Sequence, residues 1–506
     1  MFSKVLIANR GLIQANCVRA VKELGCRAIT IYDPNDRQNV GVRSADESHE
    51  LKTGNARIPY EDIDQIVEIA EKLQVDAVHP GYGFLAQNPL FRQRLKEKDI
   101  QLIAPLCPAD INIDDKTEMR SLAQSLGIPI LPGSGTLTDV AAIKEAAQKI
   151  GFPLIMKATE GYGGIGLRVI ERESDIEPHY RSIKGQAERY LFRPQDVYVE
   201  KYLGKARHLE FPLARDQFGN MVIFPERDCT IQRRFRKVVT ETPSSCISNT
   251  LRGRLKNAVE MLANRINLSG FVSVEFLYDS DSEQAYFLEI NDYIQPSHSV
   301  TALFTRVDIL REQVSIAAKQ PLSINANEVD GSGVALGVFI SAEDPEHGFV
   351  PSPGKIERLH LPYGDGIYSL TNVCSGDSVG NFYDPLISLV MVTERNRDKA
   401  ITKLRTALDG MHIDGIQTNI PLMRAMVRYP EFIHGQFDAE LITDQESREK
   451  IYENFRTRTE SEVAAILAAL TIQRDVSHQD LLDNAGKSKR AKIWDMATDL
   501  LSRPKQ

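Results

Sequence analysis

The sequence lacks the features that mark membrane, disulfide-rich and nucleic-acid-binding proteins. No apolar run reaches the roughly 20 residues that span a bilayer, and the first residues carry no secretory signal. The six cysteines form no C-x-x-C pair, so neither a zinc site nor a disulfide framework is indicated. Because 61 basic residues stand against 69 acidic ones, the net charge of -8 argues against a nucleic-acid or anionic-membrane surface. We therefore expect a cytoplasmic protein with no nucleic-acid or membrane partner.

The first part of the chain alternates apolar strands with helical segments, which predicts a parallel sheet. The strands include KVLIAN and RAITIYD, and helices are predicted over residues 18–24 and 63–73. In open α/β sheets a ligand lies beyond the carboxyl ends of the strands. We therefore expect the turn at residues 9–11 and the loop at residues 79–83 to border a binding crevice.

With 506 residues, the chain is long enough for about three domains. Changes in pattern place an N-terminal α/β domain at 1–113, a mixed central region at 114–330 and a smaller C-terminal domain at 331–440. Residues 441–506 are predicted to form a charged helical tail, and their AAILAAL run is typical of a docking helix. The predicted fold class is α/β combined with α+β.

A glycine-rich loop follows Lys157, which ends a predicted strand. The glycines are Gly161, Gly163, Gly164 and Gly166. Their peptide N–H groups could surround phosphate oxygens while the lysine neutralises charge, although a tight hairpin has the same composition. Lys116 upstream and the EKYL segment at 200–203 downstream favour a nucleotide site, because Glu200 and Leu203 are suited to meet an adenine ring.

Two predicted strands carry carboxylates in buried patterns. Glu275 interrupts the apolar run FVSVEFLY, and Glu289 and Asn291 lie two residues apart in AYFLEIN, so they point to one sheet face. A buried carboxylate is costly unless it is paired or bound to a metal. The pattern favours a Mg²⁺ site, and a buried ion pair with an arginine is the alternative.

A third cluster, at residues 226–237, is rich in arginine and lysine and shows no helical period. Such a cluster could bind a triphosphate or a carboxylate substrate. A solvated, charged edge strand would show the same pattern, so this cluster alone decides nothing.

These motifs, taken in order, resemble the biotin carboxylase family from residue 1 to about residue 440. The matching stretches are IANRG, HPGYGFL, Lys116, Lys157 with its glycines, EKYL, Arg207-His208, ERDC with Gln232-Arg233-Arg234, Glu275, Glu289-x-Asn291, SAEDP, PSPGK and IDG-x-x-TN. The resemblance implies an N-terminal α/β domain, an ATP-grasp core with a glycine-loop lid at about 131–203, and a C-terminal mixed domain.

The resemblance also implies a site and its ligands. Around ATP it places Lys116, Lys157, Gly163, Gly164, Glu200, Lys201, Leu203, His208 and Gln232, and around Mg²⁺ it places Glu275, Glu289 and Asn291. In the family's mechanism bicarbonate attacks the γ-phosphate, and the carboxyphosphate formed then carboxylates biotin. The sequence has no biotinylation motif, so any biotin would arrive on a separate carrier protein.

The residues that would handle bicarbonate and biotin depart from the family pattern. The replacements are Tyr293 and Phe339 for two arginines, Ser297 for the glutamate base, Leu12 for an acidic residue, Ser388-Leu389 for a Gly-Lys pair, and Glu160 and Tyr162 for loop glycines. Lys237 and Gln295 remain as the candidate catalytic residues. Because serine is a poor base and tyrosine offers no cationic fork, biotin carboxylation should be slow or absent.

Three functions fit this pattern. The first is an ATP-dependent ligase that forms an acyl phosphate on another acceptor, with Tyr293 and Phe339 in a more apolar acceptor site. The second is a regulatory or structural subunit of an acyl-CoA or pyruvate carboxylase, since Arg19 and Glu23 match the family's dimer contacts. The third is biotin carboxylation itself, with a biotin carrier protein as partner. A homodimer or heterodimer is expected.

Overall fold

The computed structural model describes most of the chain, at residues 1–52, 58–83, 85–108, 111–159, 166–190 and 196–456. Within these ranges no helix combines the length and apolar character needed to cross a membrane. The predicted tail lies mostly outside them, and its described part is helical at residues 445–456.

The N-terminal part is built on a parallel sheet, as predicted. Its strands are β1 (Lys4–Ile7), β2 (Arg27–Tyr32), β3 (Glu47–Glu50), β4 (Ala77–His79) and β5 (Gln101–Leu102). They are ordered β3-β2-β1-β4-β5, and all neighbours run parallel. The helices are α1 (Gly11–Glu23), α2 (Val40–Ser44), α3 (Ile63–Lys72) and α4 (Pro89–Glu97).

Helix α1 begins seven residues earlier than predicted, at Gly11 rather than near Val18. Gly11 takes a positive φ of 68°, which lets the chain turn directly from β1 into the helix. Just before it, Asn9 Nδ2 donates to Pro80 O at 2.6 Å and Tyr82 O at 2.9 Å. These bonds confirm that the two predicted rim segments meet at the carboxyl end of the sheet.

The central region begins with helix α5 (Lys116–Ser125), whose Met119 and Ala123 pack into the core of the large sheet described below. A small α/β unit follows, with helices α6 (Val140–Ile150) and α7 (Ile176–Tyr190) and strands β6 (Leu154–Ala158), β7 (Leu167–Ile170) and β8 (Val197–Lys201). The strands form an antiparallel sheet ordered β7-β6-β8. Ile143 on α6, Met156 on β6 and Ile183 on α7 are among the buried side chains of its separate core. Glu160, Tyr162, Gly163 and Gly164 of the glycine loop lie outside the described residues.

The rest of the central region contains β9 (Ala206–Arg215), β10 (Met221–Ile223), β11 (Arg227–Asp228), β12 (Gln232–Arg233), β13 (Arg236–Lys237), β14 (Val239–Thr242), α8 (Asn249–Ile266), β15 (Gly270–Asp279), β16 (Gln284–Asn291), α9 (His298–Thr305) and α10 (Ile309–Ala317). Strands β9, β10, β11, β14, β15 and β16 belong to a large antiparallel sheet, whereas β12 and β13 pair only with each other.

The C-terminal part adds three of its strands to the same sheet, and its other strands are short pairs outside it. Its strands are β17 (Val334–Ser341), β18 (Glu343–Asp344), β19 (Val350–Pro351), β20 (Gly354–Lys355), β21 (Arg358–His360), β22 (Ile367–Thr371), β23 (Ser378–Val379), β24 (Leu386–Glu394) and β25 (His412–Asp414), and its helices are α11 (Arg397–Gly410), α12 (Ile420–Met426) and α13 (Pro430–His434). The sheet order is β16-β15-β9-β11-β14-β17-β24-β22. Because β14 pairs with β17, the sheet crosses residue 331, and the domain limits stay a prediction.

Candidate functional site

A row of acidic side chains crosses the large sheet. Glu289 on β16 pairs directly with Glu275 on β15, and Glu275 pairs with Glu210 on β9. Directly opposed residues of antiparallel strands share one sheet face, and like charges there repel each other. Glu210 and Glu275 are buried, so the row requires cations close by.

Lys237 supplies one of these cations. Its Nζ donates to Glu210 Oε1 at 2.6 Å, Glu275 Oε1 at 3.1 Å and Gln295 Oε1 at 3.2 Å, which uses all three ammonium protons. Burial would lower the pKa of Lys237, but the two carboxylates hold it above its ordinary range. The predicted catalytic pair, Lys237 and Gln295, is therefore in contact.

Glu210 also binds Arg227, its partner on β11. Arg227 Nε donates to Glu210 Oε2 at 2.8 Å, and both side chains are fully buried. Burial would raise the pKa of Glu210, but Arg227 and Lys237 together hold it well below its ordinary value. Glu210 therefore remains ionised and serves to orient Lys237.

The imidazole of His208 connects Gln232 to Glu275. Gln232 Nε2 donates to His208 Nδ1 at 2.7 Å, so His208 Nε2 carries the proton that it donates to Glu275 Oε2 at 2.6 Å. Asn291 Nδ2 donates to Glu275 Oε1 at 2.9 Å. Two predicted ATP residues and two predicted metal ligands thus lie in one network.

Glu289 faces Lys116 on α5 and Lys157 on β6. Lys116 Nζ lies 3.4 Å from Glu289 Oε2. Burial would raise the pKa of Glu289, but Lys116, Lys157 and His208 hold it below its ordinary value. The carboxylate is therefore ionised at neutral pH and suited to meet a cation.

The donor set of Glu275, Glu289 and Asn291 fits Mg²⁺, which prefers hard oxygen ligands and often keeps some of its water. Two directly opposed carboxylates are also a pair whose repulsion a divalent cation relieves. Within the described ranges, no group of three or more His, Cys, Asp and Glu side chains is arranged to hold a metal ion. The candidate site therefore consists of two carboxylates and one amide.

Glu200 lies on β8. It is buried between Lys157 and Arg120, which bind its two carboxylate oxygens. Arg120 Nη2 also donates to Leu131 O at 2.8 Å. Sequence reasoning missed Arg120, although its position one turn after Lys116 on α5 places both cations on one helix face.

Lys201 and Leu203 are positioned differently from the other predicted ATP residues. The ammonium of Lys201 donates to Phe152 O at 2.8 Å and Gly151 O at 3.3 Å, so its side chain holds the preceding turn rather than the acidic row. Leu203 lies half-buried just after β8.

The basic cluster at residues 226–237 is not one edge strand. β12 and β13 form a tight hairpin in which Gln232 pairs with Lys237 and Arg233 pairs with Arg236. The turn residues Arg234 and Phe235 have positive φ values of 50° and 62°. The hairpin directs Gln232 and Lys237 into the site, while Arg234 and Arg236 are exposed.

Ser297, which stands where the family has its base, is completely buried. Its Oγ donates to Glu210 Oε2 at 3.2 Å. The neighbouring His298 hydrogen-bonds through Nδ1 to Gln295 O at 2.9 Å, and burial lowers the pKa of His298 to about 4. His79 plays a similar part, since Gly81 N donates to His79 Nδ1 at 3.1 Å. Both histidines hold loops, as expected for structural residues.

Phe339 and Leu389, which replace charged residues of the family, are direct partners on β17 and β24. They form a buried apolar cluster with Leu12 of α1, and its other members are Val300, Phe304, Ala335 and Met391. Gly337 allows α9 to approach, because a Cβ there would lie 2.5 Å from Val300 Cγ2. The crevice among Leu12, Phe339 and Leu389 leaves room for about one water molecule.

Sequence reasoning did not single out Glu210. The signal was present, because Glu210 follows His208 by two residues in the strand HLEFPLA and so lies on the same sheet face. Its partner Arg227 belongs to the basic cluster at residues 226–237, and the sequence pattern does not distinguish it from the other arginines there.

Three family models match consecutive parts of the chain. They are "Biotin carboxylase, N-terminal domain" at residues 1–109, "Carbamoyl-phosphate synthase L chain, ATP binding domain" at 115–325 and "Biotin carboxylase C-terminal domain" at 338–444. Together they span the residues that form the site.

Two curated relatives match over nearly their whole length. A pyruvate carboxylase subunit from Methanothermobacter thermautotrophicus is 35% identical over 487 residues, covering 93% of this chain and 98% of the relative. Biotin carboxylase 1 of Bacillus subtilis is 34% identical over 443 residues, covering 87% and 98%.

Solved structures show the same likeness. The biotin carboxylase domain dimer of Hydrogenobacter thermophilus 2-oxoglutarate carboxylase, in complex with MgADP, ADP and bicarbonate, matches with a TM-score of 0.84 and 34% identity, covering 89% of this chain and 99% of that one. The Campylobacter jejuni biotin carboxylase complex with β,γ-ATP matches with a TM-score of 0.82 and 34% identity, covering 87% and 98%.

Proposed function

The chain belongs to the biotin carboxylase family, and we propose that it binds ATP with Mg²⁺ and transfers the γ-phosphoryl group to an acceptor other than bicarbonate. The observation that carries this proposal is the row of Glu210, Glu275 and Glu289 with lysines gathered around it. In this assignment Lys116 and Lys157 neutralise the phosphates, while Lys237 and Gln295 hold the acceptor.

Glu275, Glu289 and Asn291 would hold the Mg²⁺, which supplies charge neutralisation at the phosphate oxygens when it is bound. The protein's own contribution is positioning, because phosphoryl transfer needs an aligned acceptor and stabilised charge more than covalent help. His208 and Gln232 fix the orientation of Glu275, and Arg120 fixes that of Glu200.

Bicarbonate is an unsuitable acceptor because it must lose a proton in the family's reaction. Ser297 is a hydrogen-bond donor to Glu210, and Tyr293 brings no positive charge. Burial and the neighbouring Glu289 and Glu275 raise the pKa of Tyr293, so its phenol stays neutral. Both features favour another acceptor.

A second candidate is a subunit that binds ATP without turnover inside a carboxylase complex. The observation that favours it is the apolar packing of Leu12, Phe339 and Leu389, which leaves about one water's space in the crevice. Under either candidate we propose a cytoplasmic protein that forms a dimer, with carboxylase subunits or a biotin carrier protein as partners under the second.

Calorimetric titration with ATP, with and without Mg²⁺, tests the nucleotide site. We expect wild-type protein to bind ATP in the presence of Mg²⁺ and Lys157→Met to bind it about tenfold more weakly or worse, since a charge-assisted contact is lost. Lys149→Met, on the surface of α6, is the matched control and should bind like the wild type. Absence of binding by the wild-type protein would refute the proposal.

A further inference from the structure

We propose that Tyr198 binds the nucleotide, and that its hydroxyl donates a hydrogen bond to a phosphate oxygen of ATP. This inference rests on the proposed ATP binding and adds a residue that neither the sequence motifs nor the network around Glu275 singled out. It follows from three features of Tyr198: the sheet face on which it lies, the groups around its ring, and the hydroxyl itself.

Tyr198 lies on the face of the β7-β6-β8 sheet that carries the charged residues of this sheet's predicted nucleotide site. It pairs directly with Lys157 on β6, and Glu200 follows it by two residues on β8. Directly opposed residues of antiparallel strands share a sheet face, and so do residues two apart on one strand. The alternate residues Met156 and Val199 pack into the core of the small unit. The three polar side chains therefore lie on the opposite face of the sheet from that core.

Two cations contact the ring of Tyr198, which is fully buried. Arg120 Cζ lies 5.7 Å from the ring centroid and Lys157 Nζ lies 5.9 Å from it, within the range of cation–π contacts. One of these cations is assigned to the phosphates, and the other binds Glu200. The ring is therefore part of the same cluster of side chains as the predicted nucleotide residues.

The hydroxyl of Tyr198 has no hydrogen-bond partner among the residues that the structure describes. Burial and the neighbouring Glu200 raise the pKa of Tyr198 well above its ordinary value, so the phenol is neutral and can donate its proton. Glu200 does not accept this proton, because Lys157 and Arg120 bind its two oxygens. A buried hydroxyl without a partner costs free energy, and a ligand oxygen that accepts its proton would remove this cost.

The charged groups around this hydroxyl indicate which ligand oxygen it meets. Besides Glu200, the carboxylates of Glu289 and Asp115 act on the phenol electrostatically. Asp115 caps the helix that begins at Lys116, and Glu289 lies 3.4 Å from Lys116 Nζ. The hydroxyl therefore lies among the groups assigned to the triphosphate and its Mg²⁺. A phosphate oxygen is the acceptor expected there, and its charge strengthens the hydrogen bond.

Tyr198→Phe tests the inference, because it removes only the hydroxyl and keeps the ring that the two cations contact. Calorimetric titration with ATP and Mg²⁺ measures the hydrogen bond to the ligand, and urea unfolding of the nucleotide-free protein measures any role of the hydroxyl in folding. We expect the Kd for ATP to rise about tenfold, because a hydrogen bond to a charged group is lost. The urea midpoint should stay the same or rise, because the hydroxyl makes no bond in the free protein that could be lost.

Tyr180→Phe is the matched control. Tyr180 lies on α7 of the same small unit, and its hydroxyl donates to Thr138 O at 2.6 Å. The same substitution there removes a bond within the protein, so the urea midpoint should fall slightly while the Kd for ATP stays at the wild-type value. The two variants thus separate a contact with the ligand from a contact within the fold.

An unchanged Kd in Tyr198→Phe, with ATP still bound by the wild type, would overturn the inference and leave the proposed function standing. A lower urea midpoint, or failure of this variant to fold, would also overturn it, because the hydroxyl would then be bonded within the protein. Absence of ATP binding by the wild-type protein would instead refute the underlying function.

Discussion

Replacing Lys237 by methionine should destabilise the protein strongly, because it removes the cation between two buried carboxylates. Lys237 Nζ lies 2.6 Å from Glu210 and 3.1 Å from Glu275, and the exposed fraction of its side chain is 9%. Breaking a buried ion pair by removing one partner costs about 3–5 kcal/mol. Because Arg227 still binds Glu210, we expect the lower end, about 3 kcal/mol.

Urea unfolding followed by circular dichroism measures this change in the free energy of unfolding. Lys184→Met is the control, since its ion pair with Asp196 at 3.3 Å is partly exposed and should contribute less than about 1 kcal/mol. A loss below about 1 kcal/mol for Lys237→Met would refute the stabilising role of this lysine in the acidic row.

Glu210 and Lys237 also define the pH range over which their ion pair stabilises the folded protein. The pKa of Glu210 is lowered in the folded protein, so its stabilisation is present above the unfolded value of about 4.3 and is lost as the pH falls. The pKa of Lys237 is raised, so its stabilisation is complete below about pH 10.4 and is lost at higher pH. The stability difference between wild type and Glu210→Gln should therefore be constant between these limits.

Three further predictions concern other parts of the site. Arg120→Lys should raise the Kd for ATP about tenfold in calorimetry, because lysine lacks the planar fork whose Nη1 and Nη2 reach Glu200 and the carbonyl of Leu131 separately; an unchanged Kd would argue against this orienting role. Glu289→Gln should weaken binding of the divalent cation, measured with Mn²⁺ in place of Mg²⁺ by electron paramagnetic resonance. In the wild type this binding should be unchanged between pH 7 and pH 5, because the pKa of Glu289 is lowered. Gly337→Ala should lower stability by about 1–3 kcal/mol, since its methyl would meet Val300; a neutral effect in thermal unfolding would contradict that contact.

Much of the fold could be predicted from the spacing of apolar residues along the sequence. The parallel N-terminal sheet and the strands β15 and β16 were predictable, because strong apolar patterns define their faces. The same alternation placed Glu289 and Asn291 on one face, and the bond from Asn291 to Glu275 lies there. The local sequence pattern was sufficient to predict the orientation of a side chain wherever that orientation depended only on its own strand.

The remaining features depend on contacts between distant segments. The hairpin at Gln232–Lys237 turns through Arg234 and Phe235, which adopt the left-handed conformation without a glycine to signal it. The apolar cluster joins Leu12, Phe339 and Leu389 from three separate parts of the chain. Each of them was recognised as a replacement, but only packing reveals that they fill one crevice.

The decisive experiment is Mg²⁺-dependent ATP cleavage by the purified protein, measured as ADP release with and without bicarbonate plus free biotin. We expect ATP to bind with Mg²⁺ and its cleavage to be unchanged by bicarbonate and biotin, because the residues around Tyr293, Ser297 and Phe339 cannot support their reaction. Turnover stimulated by bicarbonate and biotin would contradict the proposed acceptor and would assign biotin carboxylation to this chain.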